Sequence, residues 1–201
     1  QLDDCKEAAF VMDIDLFDAS FFGVSPAEAG FADPQQRVLL ELGYKALHAA
    51  SQRRGTLKGS SAGVYVGIEH LDWQLLQLSV TSKTAVQRAS VFAASGEQGH
   101  VASGRLSFVF DLQGPAMSLN TACSSGLVAA HLGLAALHAD ECELGLSPAI
   151  KLLLLPFRVA DGVVAPDGRS KSFDARGDGY GRSETGGALV LAIGEGTTAS
   201  L

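Results

Sequence analysis

From Ser124 to Ala139 the chain reads as one helix, and past its first turn only His131 and His138 are strongly polar. A helix that is apolar on nearly every side must be buried on nearly every side. It therefore belongs between the layers of a fold rather than on its surface. The preceding run, Ala116 to Ala122, is small and apolar and has the pattern of a strand. The junction between strand and helix holds a cysteine, Cys123. This unit constrains the chain to a layered α/β architecture built around one central helix.

The remaining signals alternate in the same way. Asp33-Pro34-Gln35-Gln36 opens a strong helix that runs to about Ala50, with Asp33 as cap, Pro34 at the first helical position and Gln36 placed to reach back as in a capping box. Val38, Leu39, Leu42 and Leu47 are its inward residues. Arg53 to Ser61 is polar and glycine-containing and reads as a loop. Ala62 to Ile68 reads as a buried strand. Leu71 to Gly99 is ambiguous between short helices and loop. Val101 to Phe110 begins as helix and turns at Asp111-Leu112-Gln113-Gly114-Pro115. Leu144 to Leu155 holds one or two strands broken at Pro148, Ala165 to Gly168 is a turn, and Gly186 to Ile193 is another buried strand.

Composition excludes several function classes. The formal charge is −7 and no basic stripe is present, so nucleic-acid binding is not expected. Arg53, Arg54 and Lys58 are the one basic cluster and read as a solvated loop. Three cysteines without framework spacing point to a reducing, cytoplasmic compartment. No apolar run reaches the roughly 20 residues that span a bilayer. The chain opens without Met, and we expect residues 1–201 to be one portion of a single domain that continues on both sides.

A thiol at a strand–helix junction has a chemical reading. Unpaired N–H groups at a helix start carry partial positive charge, which favours thiolate and could also hold the developing oxyanion of an attacked thioester. A helix end contributes about 0.3–1 kcal/mol, up to about 2 when partly buried, and one pKa unit is about 1.4 kcal/mol. The dipole alone thus primes a thiol by roughly one unit, and full catalysis requires a basic partner. Thr121 and Ala122 before Cys123, and Ser124 and Ser125 after it, are small enough to leave room for a substrate. From the pattern alone, a nucleophile and a buried structural cysteine both remain open.

Three stretches carry a resemblance: FDASFFGVSPAEAGFADPQQRVLLE, LQGPAMSLNTACSSGLVAAHLGLAAL and APDGRSKSFDARGDGYGRSETGGALVL. In order and spacing they resemble the ketosynthase domain of modular polyketide synthases and related fatty-acid synthases. The resemblance implies a thiolase-like layered fold (α/β/α/β/α), present here in part, and usually a homodimer. It places the nucleophile at Cys123, with Asn120, Thr121, Ala122, Ser124 and Ser125 as its motif neighbours. It implies that the cysteine takes an acyl chain from the phosphopantetheine arm of an acyl carrier protein. A malonyl-type extender is then decarboxylated, and its carbanion attacks the acyl-cysteine. No bound cofactor and no metal are implied.

The departures from the pattern are specific. Asn120 stands where the family commonly has Asp. Ser147-Pro148 replaces a small-Gly-Gly strand end, and GRSETGG at Gly181 to Gly187 departs from GxGEGxG. The family's two histidine motifs, resembling HGTGT and KSNIGH, do not occur within the 201 residues, so these residues alone are not expected to complete the cycle. Two other classes stand beside this reading: a non-catalytic half-domain serving as scaffold or dimerisation partner, and a thiolase-type enzyme acting on coenzyme A thioesters. Retention of Cys123 speaks against the first, and the DPQQR and TACSS stretches against the second.

Other chemistry-bearing residues have plainer readings. His131 and His138 are seven apart, but His131 with Cys142 matches no zinc spacing, and His131 reads as a satisfied core histidine. His100 lies near a turn, Cys5 is an incidental terminal residue, and Cys142 is structural. Asp174, Asp178 and Glu184 fail the calcium-loop pattern, because Arg176 and Thr185 occupy its third and twelfth places. A glycine-rich turn network held by Arg176 and Arg182 is expected instead. Gly177, Gly179 and Gly181 do not form a nucleotide-binding GxGxxG.

Overall fold

The computed structural model describes residues 8–69, 71–80, 91–96, 98–155 and 163–194. Its centre is a four-stranded sheet in the order β2-β1-β3-β4, with β1 Gly63–Ile68, β2 Ala116–Leu119, β3 Gly145–Lys151 and β4 Thr185–Leu191. β1 runs parallel to both β2 and β3, and β4 pairs antiparallel with β3. Three carboxyl ends, at Ile68, Leu119 and Lys151, therefore lie along one edge, which is where ligands bind in open α/β sheets.

The expected strand over Ala62 to Ile68 is present as β1, buried at every position. Its alternation divides the core in two. Val64, Val66 and Ile68 join one cluster with Leu39, Leu40, Leu47, Leu106 and Phe110, whereas Tyr65 points to a second with Ala129, Ala136, Leu137 and Cys142. The helices follow that division. With α1 Pro26–Phe31, α2 Pro34–Ala49, α3 Arg54–Leu57, α4 Leu71–Val80, α5 Val91–Gly96 and α6 Val101–Phe110, the elements α2 and α6 cover the first face. The helix α7, Ser125–His138, covers the second. The described residues thus supply helix, sheet and helix layers.

Besides β4, which is exposed or half-buried where a buried strand is expected, four expectations change. Arg53 to Ser61 is not all loop: it holds α3, where Arg53 N–H donates to Thr56 Oγ1 at 3.1 Å and Arg53 Nη1 donates to the His48 carbonyl at 3.1 Å. The strand before Cys123 ends at Leu119, because the backbone turns at Asn120 and reaches φ +56° at Ala122. β3 is not broken at Pro148. Its ladder with β4 runs without interruption from Gly145–Leu191 to Lys151–Thr185. Its ladder with β1 pairs Val64 with Leu146 and resumes at Gly67 with Ala149, passing over Ser147 and Pro148. A proline is tolerated inside a sheet where a ladder bond is forgone on one side only.

The fourth change concerns α7. Ser125, Ala129, Gly133, Ala136 and Leu137 face the sheet, but Leu127 is 79% and Leu134 44% exposed. His131 and His138 share that outward stripe, so His131 is a surface residue and not a core histidine. The small residues explain the inward face. A Cβ on Gly133 would lie 3.1 Å from Leu191 and from the Tyr65 ring, so the helix sits close on the sheet. Of the ambiguous Leu71 to Gly99 stretch, α4 and α5 are short helices, and residues 81–90 lie outside the described residues.

Candidate active site

Cys123 lies just past the carboxyl end of β2, on the edge where β1 and β3 also end. It is a free, exposed cysteine, while Cys142 is a free, buried one. The turn that carries Cys123 is tied by its own side chains. Asn120 Oδ1 accepts the Ala122 N–H at 2.9 Å. Ser125 Oγ accepts the Thr121 N–H at 2.9 Å and donates to the Ala122 carbonyl at 2.7 Å. Ser124 Oγ donates to the Thr121 carbonyl at 2.7 Å and also lies 3.0 Å from Thr121 Oγ1.

Ala122 sits in the left-handed region, which costs a non-glycine residue about 1–2 kcal/mol. Strain of this kind persists where surrounding structure over-determines it. Here the neighbours Asn120, Thr121, Cys123, Ser124 and Ser125 form one tight bend, and the thiol stands on its outside. Ser124 is the N-cap of α7 but makes no side-chain cap bond to it, because its hydroxyl is directed back to Thr121. The first turn of a 14-residue helix is thereby left free of its own cap residue, beside the thiol.

A buried polar frame that no local sequence pattern announces runs along the same sheet edge. Asp33 caps α2 as expected, accepting from Gln35 N–H at 2.8 Å. Gln36 forms no capping box. Its Nε2 donates to the carbonyls of Ser95, Gly96 and Gln98 at 3.2–3.3 Å, and its Oε1 accepts from Arg105 Nε at 2.7 Å. Arg105 also pairs with Glu28. Gln35 spans the ends of two strands: Nε2 donates to the Glu69 carbonyl at 2.7 Å, and Oε1 accepts Leu152 N–H at 3.1 Å. Lys151 Nζ meets Glu69 Oε2 at 2.7 Å. The signal was two adjacent amides at the start of an otherwise apolar helix. Only their partners, 34 to 117 residues away, were hidden.

This frame reaches the Cys123 turn through α6. Ser103, in the same helical turn as Arg105, receives Ser118 Oγ: Ser103 N–H donates to it at 3.1 Å, and the two hydroxyls lie 3.0 Å apart. Ser118 belongs to β2, which leads into Asn120. Burial pushes the Asp33 carboxyl up to about 6, against the lowering effect of its bonds to Gln35.

The other candidates separate from the site. His100 is exposed and precedes α6, its carbonyl accepting from Ser118 Oγ at 3.4 Å. Cys142 packs in the second core with its sulfur 3.9 Å from the Tyr65 hydroxyl, and burial pushes that phenol's pKa up. Asp174 is taken up by Arg176, at 2.7 Å to Nη2. Asp178 is taken up by Lys171 at 2.6 Å, and Lys171 also reaches Asp167. Lys171 thus holds the glycine-rich loop where Arg182 was expected, and Arg182 contributes its carbonyl to Ala9 N–H. The expected turn at Ala165 to Gly168 closes with a 2.9 Å bond. Glu184 is buried and accepts Val11 N–H at 2.9 Å and Leu153 N–H at 2.8 Å. Arg54 lies 5.7 Å above the Phe21 ring. Cys5 lies outside the described residues. Among the described residues no helix is long and apolar enough to cross a membrane.

A mixed, mainly parallel α/β sheet with an exposed cysteine on a strained strand-to-helix turn defines the structural class. The chain belongs to the β-ketoacyl synthase family: the family described as "Beta-ketoacyl synthase, N-terminal domain" matches residues 2–195. Polyketide synthase GfsE of Streptomyces halstedii is 41% identical over 191 residues, which is 92% of this chain and 5% of that protein. Erythronolide synthase EryA3 of Saccharopolyspora erythraea is 41% identical over 180 residues, 87% of this chain and 6% of that protein. The ketosynthase from module 6 of the bacillaene synthase of Bacillus subtilis 168 superposes with a TM-score of 0.78 at 33% identity. That match covers 94% of this chain and 31% of the other. The fold is therefore the thiolase-like fold of ketosynthases, represented in part.

Proposed function

We propose that Cys123 is the acyl-accepting nucleophile of a β-ketoacyl-[acyl-carrier-protein] synthase of polyketide biosynthesis, and that this chain is one portion of that ketosynthase domain. The observation that carries the reading is the exposed thiol on the bend at Ala122, beside a helix start that Ser124 leaves uncapped. Membership of the family and the likeness to polyketide synthases support the substrate class.

In the first half-reaction the Cys123 sulfur attacks the carbonyl carbon of an acyl thioester on a carrier protein's phosphopantetheine arm. A carbon–sulfur bond forms, the carrier sulfur leaves and takes up a proton, and first-turn N–H groups of α7 face the developing oxyanion. In the second half-reaction a malonyl-type extender loses carbon dioxide, and its carbanion displaces the cysteine sulfur to give the β-ketoacyl product. The enzyme is an acyltransferase that needs no bound cofactor and works in a reducing cytoplasm with a carrier-protein partner. The outward Leu127 and Leu134 support a further protein layer over α7, consistent with a homodimeric parent domain.

Intact-mass analysis after incubation with an acyl N-acetylcysteamine thioester tests the assignment. One acyl adduct is expected on the wild type and none on Cys123→Ala. An equal adduct on both proteins, or none on folded wild type, overturns it.

A further inference from the structure

The left-handed residue of the Cys123 turn is gripped at both of its peptide groups by side chains. Asn120 Oδ1 receives the Ala122 N–H at 2.9 Å, and Ser125 Oγ donates to the Ala122 carbonyl at 2.7 Å. Ser125 is itself fixed, since its oxygen accepts the Thr121 N–H at 2.9 Å and its side chain is buried under the helix start. Ala122, at φ +56°, carries a Cβ in a region that alanine avoids. Without both grips the bend would relax toward negative φ and swing Cys123 from its place beside the helix terminus. We infer that Asn120 and Ser125 are positioning residues that hold Ala122 left-handed and thereby aim the Cys123 sulfur. This rests on the reading of Cys123 as the nucleophile, but assigns these two side chains a role apart from contact with any substrate.

The role at Asn120 requires an acceptor oxygen and not a donor or a charge. Asp retains that oxygen and Ala does not. At Ser125 the hydroxyl both accepts and donates, so Thr retains the function and Ala loses it. The decisive variant is at Ala122, because glycine adopts positive φ without penalty and so makes the grips unnecessary.

The experiment follows Cys123 alkylation by iodoacetamide on the intact protein by peptide mass, with acyl transfer from an N-acetylcysteamine thioester as a second arm. Asn120→Ala and Ser125→Ala are each expected to slow alkylation by about tenfold, on the order expected for a misplaced reactive group. Asn120→Asp and Ser125→Thr are expected to stay within about threefold of wild type. In an Ala122→Gly background the penalty of Asn120→Ala is expected to shrink below about threefold. Equal penalties in both backgrounds, or an Asn120→Asp as slow as Asn120→Ala, overturn the inference. If Asn120→Ala does not fold, recovery of folding by the added Ala122→Gly supports it, and continued unfolding overturns it. Alkylation following this pattern while wild type takes no acyl group would remove the proposed function and leave the positioning role standing.

Discussion

Gly67 has no side chain where the backbone of Ser125 passes: a Cβ there would lie 2.8 Å from the Ser125 carbonyl carbon and 2.9 Å from Gly126 N. The strand β1 thus sets how closely the start of α7 approaches the sheet. Gly67→Ala is expected to cost about 1–3 kcal/mol of stability through overpacking. It is also expected to slow Cys123 alkylation, because the helix start must move. Urea denaturation and alkylation rates check both, and unchanged stability would mean the helix start yields freely.

Gln36 joins three backbone carbonyls to a buried guanidinium. Its replacement by Leu leaves all four groups without that partner. A loss of about 2–4 kcal/mol is expected, since each buried polar group left unpaired costs about 1–3 kcal/mol and relaxation recovers part. Equilibrium denaturation measures it, and a loss below about 1 kcal/mol would show that water replaces the amide.

Asp33 gives a pH dependence with a definite sign. Its folded value of about 6 lies above its ordinary 3.8, because burial penalises the charge. Between those values the folded state holds the proton more tightly than the unfolded state, so stability falls as pH rises from about 4 to about 6. The difference corresponds to about 3 kcal/mol. Asp33→Asn keeps an acceptor for the Gln35 N–H and removes the titration. The stability of wild type relative to this variant is therefore expected to drop across that window. Thermal melts at pH 4, 5, 6 and 7 follow it, and a constant difference would contradict it.

Glu184→Ala is expected to act locally. The amides of Val11 and Leu153 lose their acceptor and should exchange with deuterium at least about tenfold faster. Amides of β1, bonded within the ladder, should not change. Hydrogen-exchange mass spectrometry on peptides covering the two sites distinguishes this from general loosening, in which β1 would also accelerate.

What could be read from the sequence was what neighbouring residues decide. The Asp33-Pro34 helix start, the doubly buried β1 and the strand-to-helix passage around Cys123 are each set within a few residues. Gln36 satisfied a local capping pattern as well, but its amide was drawn to carbonyls about 60 residues away, where burial made partners more valuable. Pro148 reads as a break because a proline forgoes one ladder bond. The other side of β3, against β4, supplies the pairing that no local rule can anticipate. His131 reads as core from its apolar neighbours, yet the face of α7 that meets the sheet was settled by Gly133 and the small residues in register with it.

Glu184 binds backbone groups at Val11 and Leu153, which are 173 and 31 residues away in the chain. A ribosome adding about 5–20 residues per second leaves Val11 waiting roughly 10–30 s before its acceptor exists. The Val11 amide is served by water through that interval, so this tie between two distant parts of the chain closes only once Glu184 has been made.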